Sequence, residues 1–251
     1  MNMNQIKQYK MIIAYDGTDF AGWLRQPDRP SIVQVLENRF HSVYRKKIHI
    51  LGASKTDAGV HALGQVAIFK TDLAIDAEKM RWAWNKALPD SISIVSLEQN
   101  EAFHPHYNVK HKTYWYHFSS DKIFPFMARY GAYYRMPFNV ALLKQALQLF
   151  VGTHDFEQFY TGSDRDNTMR TIQMITLEFV PEYNGYRIVV VGEKFLRHMV
   201  RRMVGAALHV AAGRAPLEDI KSALEKSAPS NHLPTAPAKG LLLHSILFHQ
   251  L

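Results

Sequence analysis

The stretch Gly52-Ala53-Ser54-Lys55-Thr56-Asp57-Ala58-Gly59-Val60-His61-Ala62 holds one carboxylate, Asp57, two residues after a cation, Lys55. Glycines at positions 52, 59 and 64 let this backbone turn tightly and come close to a ligand. The apolar runs Lys47–Leu51 and Gln65–Thr71 on either side read as strands. A short acid in a loop between buried strands is one way a fold holds a single reactive group rigidly. Asp and Gly also fill ordinary turns, and on these residues alone both readings stand.

Three further constellations carry chemistry. Thr113–Phe118 is an aromatic-rich strand in which Tyr114 and Tyr116 share one face and Trp115 takes the other. A tyrosine beside a carboxylate can stack on a base and donate or accept a proton, while at least part of such a strand must serve the core. Along Phe195–Gly205, Leu196, Met199, Val200, Met203 and Val204 form an apolar stripe and Arg197, His198, Arg201 and Arg202 a basic one. The forked donors of arginine suit phosphate, but a solvated helix face with snorkelling arginines has the same pattern. His104, His106, His111 and His117 crowd one stretch. Pro105 interrupts the first pair, no cysteine or close carboxylate joins them, and contact with RNA phosphates or bases is favoured over a metal site. P-loop, G-x-G-x-x-G, G-x-S-x-G and H-E-x-x-H motifs are all missing, against nucleotide hydrolysis, dinucleotide redox chemistry, serine hydrolysis and zinc proteolysis.

The bulk of the chain suits a polyanionic partner. It has 251 residues, 47% of them hydrophobic, enough for one large or two smaller globular domains. The formal charge is +8, which points to nucleic acid ahead of an acidic membrane surface. The absence of cysteine removes disulfides and thiolate chemistry and suits a reducing cytoplasm. No apolar run is long enough to span a bilayer, and Met1–Lys10 is polar, without a signal-peptide core.

The elements that must position these residues are an ordered series. Tyr9–Tyr15 reads as a strand, and Phe20–Pro30 as a loop carrying Trp23, Arg25 and Gln26. Ser31 and Gln34 make a capping box for a helix over Ile32–Lys46. After the central loop come a helix over Ala77–Leu88 and a strand over Ser91–Leu97. This is a split βαβ layout of the α+β class, with helices on one face of a mixed, mainly antiparallel sheet. Phe103–Lys112 is a crossover, so the halves are 1–108 and 109–251. In the second, strands are expected at Thr113–Phe118 and Arg129–Arg135, a helix over Val140–Phe150 capped by Asn139, and loop over Phe156–Asn167. A hairpin, Thr171–Val180 with Tyr186–Val191, turns at Asn184-Gly185. Helices over Phe195–Ala211 and Pro216–Lys226, a loop over Ser227–Lys239 and a strand over Leu241–Phe248 complete it.

Taken together, the ordered blocks resemble the TruA family of tRNA pseudouridine synthases along nearly the whole chain. Tyr15-Asp16-Gly17-Thr18-Asp19-Phe20-Ala21-Gly22-Trp23 with Arg25-Gln26 is similar to the family's opening block, and Thr56–Ala62 to the T-D-A-G-V-H-A core of its active-site motif. Phe103-His104, Lys112–Tyr116, Gly152–Phe156, Arg170–Ile172, Phe195–Gly205 and Ala236–Leu241 follow in family order. The resemblance implies two RRM-like halves sharing one sheet, and conversion of uridine to pseudouridine at positions 38 to 40 of the tRNA anticodon arm. It implies no metal or cofactor, and a homodimer that tRNA spans. By the same carry-over Asp57 is the nucleophile, Lys55 its neighbouring cation, Tyr114 the residue against the target base and Leu241 an apolar residue of the pocket. Arg25, Gln26, Arg197, His198, Arg201 and Arg202 are the expected RNA-binding residues.

Three departures stand out. The family usually has G-R-T-D where this chain has Ser54-Lys55-Thr56-Asp57, and lysine keeps the charge but loses the planar fork. His106 stands where arginine is common, and Arg202 where asparagine is frequent. A tRNA-binding or tRNA-folding protein that has lost catalysis with the arginine is the main alternative. An Asp-dependent glycosidase is weaker, because such enzymes normally use two carboxylates and no acidic partner stands near Asp57 in sequence.

Overall fold

A computed structural model of the chain describes residues 5–107, 109–122, 125–162, 167–225 and 233–249. The chain divides into two compact units, Met1–Lys110 with Leu243–Leu251, and His111–Leu242. Both are α+β and mainly antiparallel.

In the first unit, β1 (Lys7–Tyr15) buries every second residue from Tyr9 onward, as a strand with one face on a core must. It pairs antiparallel with β3 (His61–Thr71) on one side and β4 (Ile92–Gln99) on the other. Helix α1 (Ile32–Tyr44) begins where the Ser31 hydroxyl accepts the Gln34 N–H, and it buries Ile32, Val33, Leu36 and Phe40. It stops two residues short of the expected Lys46 because Arg45 takes a left-handed conformation and gives its N–H to the His41 carbonyl. Helix α2 (Ala77–Ala87) starts on Asp76, whose carboxylate accepts the N–H groups of Glu78 and Lys79 at 3.1 Å. Trp84 locks α2 to the rest: its ring meets Phe40 at 4.8 Å and Phe69 at 5.4 Å, and its indole N–H donates to the Leu36 carbonyl.

Two expectations fail here for one physical reason each. The strand predicted over Lys47–Leu51 shrinks to β2 (Leu51–Gly52), because the buried carboxylate of Glu37 takes the Ile50 N–H at 2.8 Å and removes it from any ladder. At its far end the central loop is shorter than predicted. β3 already begins at His61, where Ala62 pairs with Tyr15 across a bulge.

The second unit is built on β5 (Val109–Ser119), which begins within the predicted crossover. It pairs antiparallel with β9 (Gly185–Gly192) and parallel with the two-residue β6 (Ala132–Tyr133), all that forms of the strand predicted over Arg129–Arg135. β9 pairs with β8 (Met169–Val180) around the predicted Asn-Gly turn, with Asn184 in the left-handed region. β8 in turn pairs with β7 (Gly152–Asp155), a strand too short and polar to show in the pattern; a Thr153–Thr171 hydroxyl pair at 2.8 Å ties the two. Helix α3 (Val140–Gln148) is capped by Asn139 as predicted and packs on α4 (Met199–Ala211). Helix α5 (Glu218–Glu225) follows, and β10 (Leu241–Phe248) ends the fold, its later residues beside β3 in the first unit. Parts of two predicted loops, at 163–166 and 227–232, and the last residue of the predicted helix at 226 lie outside the described residues.

Trp84→Ala is expected to lower stability by about 3–5 kcal/mol, since it empties the contact joining both helices to the first unit's sheet. Chemical denaturation should show a lower midpoint with an unchanged slope.

Candidate active site

The loop that carries Asp57 is held in part by close main-chain contacts. Gly22 has φ of 95°, and a Cβ there would lie 2.6 Å from the Thr56 carbonyl oxygen and 2.9 Å from the Asp57 carbonyl carbon. Only glycine permits that conformation with that approach. The next residue, Trp23, donates its N–H to the Thr56 carbonyl at 3.0 Å. Its ring, 1% exposed, packs against Gly52, where a Cβ would come within 2.5 Å of it. The Val60 N–H closes a turn onto the Asp57 carbonyl at 3.1 Å. Just beyond, the buried imidazole of His61 takes the Gly17 N–H on Nδ1 at 3.1 Å and lies 3.1 Å from an Asp16 carboxylate oxygen. Both ends of the loop are therefore fixed. Asp57 is half-buried and Lys55 is exposed.

Arg25 and Gln26 follow Trp23 and are exposed. The Arg25 guanidinium is ion-paired with the buried Glu37 carboxylate, the same group that holds Ile50. This anchors the Arg25 loop to α1 and leaves part of the five-donor fork for other partners.

In the second unit, Tyr114 is 7% exposed on β5, opposite Val190, with Phe195 edge-on at 5.0 Å. The strand places Lys112, Tyr114 and Tyr116 on one face. Burial, reinforced by the charge of Lys194, pulls the Lys112 ammonium down to about 8. The Tyr116 phenol is buried and its pKa raised by desolvation, so it stays a donor; its O–H goes to the Pro237 carbonyl at 3.0 Å. That bond fixes the turn Ala238–Gly240 and hence Leu241, which is 6% exposed at the start of β10.

The basic stripe predicted on one helix is divided. Helix α4 begins only at Met199, because His198 has φ of 63° and the chain leaving β9 first seats Phe195 on Tyr114. Arg197 is exposed ahead of the helix, its carbonyl accepting the Thr161 N–H. Arg201 donates Nε–H to the Ala236 carbonyl at 2.8 Å while its own carbonyl accepts the Ala236 N–H, a clasp on the segment before Leu241. Arg202 reaches the Tyr160 carbonyl, and burial lowers its pKa. Thus Tyr114, Leu241 and Arg201 converge through Phe195, Tyr116 and Ala236 in one unit, while Asp57, Lys55, Arg25 and Gln26 belong to the other. Sequence reasoning missed Lys112 and Tyr116 as site residues, although the alternation at 112, 114 and 116 already put them on the Tyr114 face. Among the described residues no three His, Asp or Glu side chains are grouped as metal ligands; His104 instead stacks on Tyr107 at 4.2 Å.

Comparison with known proteins bears on this arrangement. A family model described as tRNA pseudouridine synthase matches residues 11–108 and 146–249. A tRNA pseudouridine synthase A of Thermodesulfovibrio yellowstonii is 35% identical over 250 residues, covering 95% of this chain and 98% of that protein. One from a Thermoanaerobacter species is 35% identical over 246 residues, covering 97% and 100%. A Bacillus cereus protein, tRNA pseudouridine synthase A 2, is 36% identical over 246 residues with the same coverage.

The lowered Lys112 pKa has a signed consequence. Between about 8 and its unfolded value near 10.5 the unfolded chain binds more protons than the folded one, so this group's contribution to stability rises with pH in that window. Lys112→Met is expected to raise the denaturation midpoint below pH 8, with the gain shrinking as pH rises through the window.

Proposed function

The chain belongs to the tRNA pseudouridine synthase A family, isomerases that convert uridine in tRNA to pseudouridine, and from that premise we propose that it acts at positions 38 to 40 of the anticodon arm with Asp57 as nucleophile. The observation that carries the assignment is the half-buried carboxylate on a loop whose backbone is bonded on both sides, by Trp23 and Val60. A group positioned in this way needs no reorganisation when it meets a reactive carbon.

The reaction breaks the N1–C1′ bond, turns the uracil and joins C5 to C1′; C5 then gives up its proton to a base and N1 takes one up, so the atoms of the nucleoside are conserved. Nothing is oxidised and no water is consumed, so the chemistry calls for no metal or cofactor. It needs a carboxylate to attack or stabilise the electron-poor sugar and a pocket that retains the detached base. It also needs contacts that offset the few kcal/mol lost when the nucleotide leaves its stack. Tyr114 packs against the target base and Leu241 lines the pocket. Arg25, Gln26, Arg197, His198, Arg201 and Arg202 bind the RNA, the cations at its phosphates. Lys55 is exposed beside the nucleophile and supplies the nearby positive charge. The enzyme works as a homodimer in the cytoplasm. Among the described residues no helix is long and apolar enough to cross a membrane.

Unmodified tRNA incubated with the protein should gain pseudouridine at positions 38 to 40, and none with Asp57→Asn, which keeps the side chain's shape without its charge. Product from Asp57→Asn at the native rate would remove the nucleophile from the scheme. Binding of tRNA by the native chain with no product would favour the tRNA-binding reading. Lys55→Arg is expected to raise turnover by restoring the planar fork; a fall would mark the lysine as a local adaptation.

A further inference from the structure

Gln65 sits where a strand pair is deliberately ended. The β2–β3 ladder runs Leu51 with Ile68 and Gly52 with Ala67, and the Ala53 N–H still reaches the Val66 carbonyl at 2.7 Å. The next residues to face each other are Ser54 and Gln65, a position that exchanges no backbone hydrogen bonds in an antiparallel ladder, since the bonds alternate and Ala53 with Val66 already holds one. There the side-chain amide of Gln65 supplies both bonds: its Oε1 accepts the Ser54 N–H at 3.1 Å and its Nε2–H donates to the Ser54 carbonyl at 2.7 Å. A side-chain amide bonded to both backbone groups of one residue satisfies them without a partner strand. The chain leaves the ladder at this point, immediately before Lys55 and Asp57.

The same amide reaches further. Its second N–H points to the Tyr15 hydroxyl at 3.5 Å, and Tyr15 shares a hydrogen bond of 2.7 Å with the Thr56 hydroxyl. Gln65 is wholly buried, and Ser54, Tyr15 and Thr56 are nearly so. The exposed Lys55 is thus bracketed by two buried neighbours, one bonded by Gln65 and the other by Tyr15. We propose that Gln65, with Tyr15, is a positioning residue for the reaction: it sets the height of the Lys55–Asp57 segment above the sheet and so the reach of the Asp57 carboxylate. This rests on the reading of Asp57 as nucleophile.

An apolar replacement, Gln65→Leu, takes away both bonds that the amide makes to the buried Ser54 backbone. It should lower the single-turnover rate about 100-fold, the usual consequence of a misplacement near 1 Å, without changing tRNA affinity. Tyr15→Phe should fall less, because both bonds from Gln65 to the Ser54 backbone remain. Gln65→Glu separates positioning from general destabilisation. Its ionised carboxylate can still accept from Ser54 but cannot donate to the Ser54 carbonyl. Once protonated it has one donor and one acceptor for the Ser54 backbone, without the second N–H toward Tyr15, and burial raises a carboxyl into a range that can be titrated.

The experiment measures single-turnover rates of native protein, Gln65→Glu and Tyr15→Phe, with tRNA affinity measured in parallel. The expected result is a Gln65→Glu to native rate ratio clearly higher at about pH 6 than at about pH 9, with affinity constant. A ratio that does not change with pH, or losses that follow tRNA affinity alone, would overturn the proposal. Asp57→Asn is the control: activity surviving there defeats the nucleophile reading itself, whereas loss there with native rates in both Gln65→Glu and Tyr15→Phe defeats only the role of Gln65.

Discussion

The main chain of Thr56 and Asp57 lies directly against Gly22, and the first unit is arranged around that contact. It demands a residue without a side chain at 22, in a conformation that other residues avoid. It places the Trp23 N–H on the Thr56 carbonyl and the Trp23 ring over Gly52. Through Arg25 and Glu37 it also ties the loop to α1, and through Ile50 to the segment that enters β2. A carboxylate on a mobile loop would need to be ordered each time it met a ligand; here that entropy is lost once, during folding.

The second unit solves a related problem with side chains. Tyr116 and Arg201 both bind carbonyls in the stretch Ala236–Pro237, which holds the turn ahead of Leu241. A half-buried guanidinium and a phenol that keeps its proton are suited to this, since each presents a hydrogen to a carbonyl. The arginines of the apparent RNA-binding stripe are thus not all alike. Arg201 and Arg202 are half-buried and serve carbonyls at least in part, whereas Arg197 is exposed.

Much of this was legible in the chain itself. Periodicity and caps found α1, α2 and α3 with their starting residues, because Ser31, Asn139 and the apolar spacing act locally. The Asn184-Gly185 turn was legible for the same reason. What escaped was set by distant partners. Glu37 cancels the strand before Leu51, Thr171 supports a polar strand at Gly152–Asp155, and Phe195 delays α4 to Met199. At the site, the T-D-A-G-V-H-A motif and the aromatic alternation were visible in the sequence, but the clasp of Gln65 on Ser54 was not. A lone glutamine in an apolar strand carries no pattern, and only the register of β2 against β3 reveals its part.

The account turns on the distance between one carboxylate and one sugar carbon. A crystal structure of the protein with an anticodon-arm RNA measures it directly. An Asp57 carboxylate oxygen about 3–3.5 Å from C1′ of an extruded uridine is the expected result. A uridine bound with Asp57 turned away from its ribose, beyond the reach of one intervening water, would contradict it.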